Sequence, residues 1–306
     1  MLRSIAHRLR RAYLHSYLRL RRCAVARRGW FPAPARLLIR RVERVFDPLA
    51  IWLYRRRTGE ERPIPPRGLR ERNAVDSVSF WFSSAEQAEG PLHEMLASVD
   101  RHIEDFDRAL DFGCGAGKVI AAVRGRGVEL HGCDIHEPSI RWLERWFPDL
   151  HVVANPFDPP LIYPDDHFDL LWAWSVLTHI DGDRQRAWIG EWARIVRPGG
   201  LVLATFHGPL QVDNFRRRGA ALPKGLVGTV EREGVAFVPA RIDGNFSADF
   251  TGTTLPYGDT FNTSDNIRTR LREAGFEVVD IAERSHWGNQ HCAIAQLPAP
   301  SPATLA

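Results

Sequence analysis

Three glycines at alternate positions behind an aspartate, Asp111-Phe-Gly113-Cys114-Gly115-Ala-Gly117, are the residues of this chain whose types and spacing speak most directly of chemistry. Glycine accepts positive φ and carries no Cβ, so the backbone of such a turn can approach a ligand closely. Phe106 to Leu110 fits the end of a short strand leading into the turn, and Val119 to Val123 fits the helix leaving it. Strand, glycine turn and helix N-terminus together make a nucleotide-binding crevice at the carboxyl edge of a parallel sheet. Asp134 lies about twenty residues beyond the first glycine, at the end of a second expected strand, where a carboxylate can accept both hydroxyls of an adenosine ribose.

Two cofactor classes use such a turn. The dinucleotide fingerprint G-x-G-x-x-G requires glycine where this chain has Lys118, whereas D-x-G-x-G-x-G is matched in full by residues 111–117. In that motif the chain resembles the class I S-adenosylmethionine-dependent methyltransferases. The segments Phe168-Asp-Leu-Leu-Trp-Ala-Trp174-Ser-Val-Leu-Thr-His179-Ile, Glu191-Trp-Ala-Arg-Ile-Val-Arg-Pro-Gly-Gly200 and Leu201-Val-Leu-Ala-Thr-Phe-His207-Gly strengthen the likeness. It extends from about residue 77 to residue 297 and leaves the first sixty residues outside.

The resemblance implies an α/β, Rossmann-like fold with a mostly parallel seven-stranded sheet whose last strand is antiparallel. It implies S-adenosyl-L-methionine as cofactor. Gly113, Cys114, Gly115 and Gly117 would wrap it, and Asp111 would face its cationic amino-acid end. Asp134, with Ile135 beside it, would hold the ribose, and His136 would touch the adenosine side. Asn155 would lie near the adenine amino group, Phe157 would pack on the ring, and Trp174 would stand at the rim of the same crevice. An NAD(P)-dependent oxidoreductase would use Asp134 in the same way but gives Asp111 no amine to meet. A protein that binds the cofactor without turnover is the third reading, because methyl transfer demands no obligatory catalytic residue.

Transfer to an oxygen or nitrogen can require a general base with a pKa near neutrality, a role suited to histidine. His179 and His207 end adjacent strands at the functional edge and are the candidate bases; structural histidines bonded to loop backbone are the alternative. Tyr257 and Phe261 are weaker candidates for acceptor contact. Adenine-amino methyltransferases place [D/N/S]-P-P-[Y/F/W] after the fourth strand. Here Asp158-Pro-Pro-Leu161 precedes that strand and lacks the aromatic, and no Pro-Cys nucleophile follows it. Nucleic acid is thereby disfavoured, and the resemblance, to a branch found with small-molecule and glycan pathways, implies a small-molecule, glycan or lipid-linked acceptor.

The elements expected to carry these residues alternate strand and helix: strands at 128–133, 151–154, 168–174 and 201–206, and helices at 137–146 and 183–196, after a helix at about 86–104. Such alternation implies a parallel sheet with helices on both faces. Phe80 to Phe82 either fold over the cofactor or belong to the core. Gly208 to Thr263 is expected as a lid or insertion. Ser264 then caps a helix to Glu273, and strands at 276–281 and 291–296 close the sheet.

Composition bounds the rest. With 44% hydrophobic and 25% charged residues the chain is of ordinary globular make-up, and no apolar run is long enough for a membrane-spanning helix. Four scattered cysteines, without C-x-x-C or metal-ligand spacing, fit a reducing cytoplasm and no metal. The net charge of +4 is uneven, since Met1 to Val42 holds many arginines and no acidic residue. Residues 1–62 are expected as a basic helical segment and 63–298 as the main domain, joined at the proline-rich Arg62–Arg67. An amphipathic helix over 1–28 and a second basic stretch from Arg36 to Tyr54, interrupted by Pro48, have three readings: packing on the main domain, peripheral contact with an anionic membrane, or weak nucleic-acid attraction. A transit peptide matches the composition but shows no cleavage site. Oligomeric state is open.

Overall fold

A computed structural model describes residues 33–72, 78–217, 220, 222–239, 257–286 and 290–299. The helix expected over residues 1–28 lies outside the described residues. The chain divides into two compact units, Met1–Gly59 and Glu60–Ala306. In the first, helix α1 (Ala33–Thr58) runs through Pro48 without interruption, contrary to the expected break. Proline removes one backbone donor but fixes a helix-compatible φ, and the remaining turns carry the element past it. Val45, Leu49 and Trp52, spaced four and three residues apart, are exposed on this helix, and the Arg56 guanidinium lies 5.3 Å from the Trp52 ring centre.

The second unit begins with an irregular segment over 60–66, short helix α2 (Arg67–Arg72) and helix α3 (Val78–Ala97). Helix α3 starts eight residues before the expected position, so Trp81 and Phe82 are helical and buried. The Arg62 guanidinium covers the Phe82 ring at 4.4 Å. These two aromatics therefore belong to the core; the Phe80 side chain lies outside the described residues.

Strands β1 (Arg108–Phe112), β2 (Glu129–Asp134), β3 (His151–Ala154), β4 (Phe168–Ala173) and β5 (Val196–Phe206) pair in parallel, with helix α4 (Glu137–Trp146) between β2 and β3 and helix α5 (Gly182–Ile195) between β4 and β5. Beyond them lie helices α6 (Leu210–Arg217) and α7 (Leu226–Glu233), strands β6 (Val235–Pro239) and β7 (Gly258–Asn262), helix α8 (Ser264–Glu273), and strands β8 (Glu277–His286) and β9 (Gln290–Gln296). The main sheet has the order β3-β2-β1-β4-β5-β9-β8, and β9 runs antiparallel to both β5 and β8. This is the mostly parallel seven-stranded sheet with an antiparallel last strand that the family resemblance implies. Strand order reverses between β1 and β4, and ligands of open α/β sheets bind at such a switch point, outside the carboxyl ends of the strands.

Every residue of β4 is buried, which its nearly continuous apolar run anticipates for a strand covered on both faces. The one acidic residue in it, Asp169, is used as a buried clamp. Its carboxylate accepts the backbone N–H groups of Asp107 and Arg108 at 2.8 and 2.9 Å and pairs with Arg197 at 2.7 Å, tying the starts of β1, β4 and β5 together.

Three other local expectations are corrected. Residues 119–123 form turns in place of a regular helix, bonded Ala121 N–H to Gly117 O, Ala122 N–H to Val119 O and Val123 N–H to Val119 O. The β-branched Val119, Ile120 and Val123, with Gly125 and Gly127 following at positive φ, cannot extend it. Strand β5 begins at Val196 directly after α5, so Arg197-Pro-Gly-Gly belongs to the strand, where the register shifts opposite Phe168 and Leu170. Thr263, and not Ser264, caps α8, accepting the Asn266 N–H at 3.2 Å. The segment expected as a lid holds α6, α7 and the antiparallel β6–β7 pair, closed over a small core of Val212, Leu226, Val230 and Phe261.

Candidate active site

The glycine turn leaves β1 at the carboxyl edge of the sheet. Gly113, Gly115 and Gly117 have φ of 80°, 54° and 79°, a region that side chains other than glycine's rarely enter. A Cβ on Gly113 would strike Val176, and one on Gly117 would strike Leu143. Both the conformation and the space thus demand glycine. The Gly113 and Cys114 N–H groups donate to the Cys133 carbonyl at 2.8 and 3.0 Å, which folds the turn back over β2. Cys114 is buried, its sulfur packed close to Gly132, and burial pushes its thiol well above the usual range. A small side chain that fits, and not a nucleophile, is what the structure places there.

The two aspartates of the motif have different environments. Asp134 is half-buried; Oδ2 accepts the Gly115 N–H and Oδ1 the His136 N–H, each at 2.8 Å. Asp111 is buried, and its Oδ2 has no hydrogen-bond partner. Burial, aided by the nearby Asp134 charge, pushes its carboxyl up to about 8, against the opposing pull of the Ile120 N–H, the Trp172 indole and Lys118. Lys118 is itself pushed down to about 8 by burial.

Around this centre, Ile135 and Trp174 are half-buried just beyond the ends of β2 and β4. Asn155 follows β3; its backbone N–H donates to the Asp134 carbonyl at 3.1 Å and its side-chain amide to the Pro156 carbonyl at 2.7 Å. Phe157 is half-buried, with the Arg184 guanidinium 4.7 Å from its ring centre. The Trp188 indole N–H donates to the Phe157 carbonyl at 3.2 Å. His136 precedes α4 and engages Ser139 Oγ at 2.8 Å. Asp158, from the near-match to the adenine motif, pairs with Arg184 at 2.9 Å.

The structure separates the two candidate bases. His179, about one third exposed, stacks on Tyr257 with ring centres 4.8 Å apart. Its Nδ1 lies 2.9 Å from the Gly258 carbonyl and 3.9 Å from Asp259 Oδ1. A carbonyl only accepts, so Nδ1 carries the proton and Nε2 of the neutral ring keeps its lone pair. Burial lowers the His179 pKa, against the pull of the Asp259 charge and the Gly258 carbonyl, while burial raises Asp259.

His207 is buried between Phe215 and Phe261, its Nδ1 without a partner, and burial pushes it down to about 3. The Gln290 amide nitrogen lies 3.5 Å from His207 Nε2 and 2.9 Å from Ser175 Oγ. A neutral, enclosed imidazole of this kind is suited to a structural role, the alternative that the sequence left open.

Sequence reasoning missed Asp259, Trp172 and Val176. The first had no signal, because only chain pairing brings it beside His179. The second could have been read from strand register, since Trp172 pairs with Asp111 across β4 and β1.

Residues 110–204 match the family described as "Methyltransferase domain". By that match the stretch from the end of β1 into β5 is a methyltransferase domain. Among curated relatives of this domain, the 27-O-demethylrifamycin SV methyltransferase of Amycolatopsis mediterranei is 35% identical over 49% of this chain and 59% of its own length. The tRNA (carboxymethyluridine(34)-5-O)-methyltransferase of Arabidopsis thaliana is 30% identical over 45% of this chain and 32% of its own. The chain thus spans less than two thirds of either relative. The PH0226 protein of Pyrococcus horikoshii shares the fold, with a TM-score of 0.50 at 14% identity over 68% of this chain and 88% of that one.

The residues of the methyltransferase domain fit its cofactor. The orphaned Asp111 oxygen can meet a cationic amine, the Gly113 and Gly117 cradle would be filled by any Cβ, and half-buried Asp134, bonded to the Gly115 N–H, sets a carboxylate where ribose hydroxyls would need an acceptor. The dinucleotide reading is not favoured.

Proposed function

We propose that this chain transfers a methyl group from S-adenosyl-L-methionine to an oxygen or nitrogen of a small-molecule, glycan or lipid-linked acceptor. The observation that carries the reading is the glycine turn locked to Asp134, with the unpartnered Asp111 oxygen beneath it. The bound cofactor would supply an electrophilic methyl carbon on a sulfonium. In this reading Asp111 balances the amino-acid end, Asp134 with Ile135 holds the ribose, and Asn155, Phe157 and Trp174 line the adenine side. His179 takes the acceptor's proton at Nε2 while Gly258 and Asp259 steady the imidazolium that forms. The acceptor atom would need to stand about 3 Å from the methyl carbon, in line with the bond that breaks.

The rifamycin-type relative favours a small-molecule acceptor, and the tRNA relative keeps nucleic acid as the second reading. Calorimetry with S-adenosylmethionine, S-adenosylhomocysteine and NADH tests the cofactor. Micromolar binding of the two sulfur nucleotides supports the reading; binding of NADH alone overturns it. Neither sulfur nucleotide binding to the folded chain would also sink it. Acceptor panels in which S-adenosylhomocysteine release is measured then test catalysis.

Among the described residues no helix is long and apolar enough to cross a membrane. The exposed Val45, Leu49 and Trp52 of α1, together with Arg55, Arg56 and Arg57, support peripheral contact of residues 1–60 with an anionic cytoplasmic membrane surface. Co-sedimentation with anionic but not neutral vesicles, lost on Trp52→Ser, is the expected result.

A further inference from the structure

A second cluster of ligating side chains occupies the other end of β2. Glu129 and His131 are two residues apart on that strand and so share a face, and His151 of β3 is the register partner of His131. One ligand atom from each of the three lies within 4.8 Å of the others. His131 Nε2 is 2.7 Å from Glu129 Oε1, and the His131 and His151 rings stack with centres 4.8 Å apart. The His131 side chain is only 9% exposed, and its Nδ1 has no partner. Tyr163, His167 and Phe168 set their rings edge-on against it at 5.5, 5.5 and 5.2 Å. Glu129 stands five residues and His131 three residues before Asp134, so at about 3.3 Å per residue the cluster lies roughly 10 to 16 Å from the cofactor crevice.

We propose that Glu129, His131 and His151 form a binding site for a divalent transition metal, which clips edge strand β3 to β2. Two imidazoles and one carboxylate suit zinc, cobalt or nickel, and not calcium or magnesium, which want oxygen ligands. Tetrahedral bonds of about 2.1 Å would set ligand atoms about 3.4 Å apart. The exposed Glu129 and His151 can rotate to close that difference, while buried His131 stays fixed. Water completes the coordination.

Arg108 is the competitor. Its Nη2 donates to Glu129 Oε2, and its Nε lies 3.2 Å from Oε1. The metal must draw one carboxylate oxygen away from this guanidinium, which then remains as a partner of the other.

The test is titration of the tag-free full chain with Co²⁺, read by its visible d–d absorption, followed by displacement with Zn²⁺. One ion per chain at micromolar affinity is expected. His151→Ala and Glu129→Gln should each weaken it at least tenfold, and Arg108→Gln should tighten it several-fold. S-adenosylhomocysteine affinity should not change in any of these variants, which separates this site from the crevice and reports folding. Absence of a cobalt spectrum up to millimolar ion overturns the proposal. So does binding that His151→Ala leaves intact, which would place the ion elsewhere.

Discussion

Gly115 gives its backbone N–H to Asp134 Oδ2 at 2.8 Å, so the glycine turn and the end of β2 form one hydrogen-bonded unit. The residue assigned to the ribose is thus also the residue that shapes the turn. Substitution should cost both functions. Charge-assisted hydrogen bonds are worth about 1.5–3 kcal/mol each, or roughly 10- to 100-fold in affinity. Asp134→Asn should weaken S-adenosylmethionine and S-adenosylhomocysteine binding by at least tenfold, and Asp134→Ala by more. Calorimetry showing the Asn variant within threefold of the parent would remove Asp134 from the binding site.

Asp111 ties affinity to pH. With its carboxyl at about 8, the free protein holds it largely neutral at pH 6 to 7. It must lose a proton before pairing with a cationic amine, so cofactor affinity should rise as pH climbs to 8. Above that the amine itself, for which an ordinary α-amino pKa is about 8, begins to lose its charge and affinity should fall again. Asp111→Asn should abolish the acid limb. The same shift has a stability cost: the folded pKa lies above the unfolded value, so stability falls as pH rises from about 4 to 8. Cofactor-free Asp111→Asn should therefore melt higher than the parent at pH 8, and a lower Tm would contradict the burial argument.

The two histidines should respond differently. Once an acceptor is found, His179→Ala is expected to lower kcat by roughly a hundredfold or more, with cofactor affinity unchanged. Because its pKa is lowered, activity should persist below pH 6.5 before protonation removes the base. His207→Gln should leave the shape of the pH–rate profile intact and lower Tm instead. A reversed pattern would exchange their roles.

Gly113→Ala combines an unfavourable φ of 80° with a Cβ driven into Val176. The turn would have to open, and loss of cofactor binding with near-normal far-UV circular dichroism is expected. Wild-type affinity in this variant would mean that the loop carrying Val176 yields easily.

Asp169 predicts a stability effect without a binding one. Removing its buried carboxylate strands two backbone N–H groups and takes one of its two carboxylate partners from Arg197, which keeps Asp107. Asp169→Ala should cost on the order of 3 kcal/mol in urea unfolding, the combined penalty of two backbone N–H groups left without an acceptor.

The parallel core was legible because its signals are local. A strand buried on both faces must be apolar throughout, as Phe168 to Ala173 is apart from Asp169, and a positive-φ turn must be glycine. Boundaries went astray where tertiary contacts outweighed such signals. Val196 and Arg197-Pro-Gly-Gly were drawn into β5 by the pairing of Val196 with Phe168 and by backbone bonds of Gly199 and Gly200 with Leu297, and Val78 to Phe82 became helical because Trp81 and Phe82 have a core to enter.

By itself the sequence determined the cofactor crevice: D-x-G-x-G-x-G and the acidic residue about twenty positions on need only one strand–turn–strand unit to meet. Only the tertiary structure decided what surrounds each charge. It buried His207 between Phe215 and Phe261, brought His179 to Gly258 and Asp259 from nearly eighty residues away, and placed His131 against His151 across two strands. Protonation and ligation depend on desolvation and on neighbours distant in the chain, and residue spacing encodes neither.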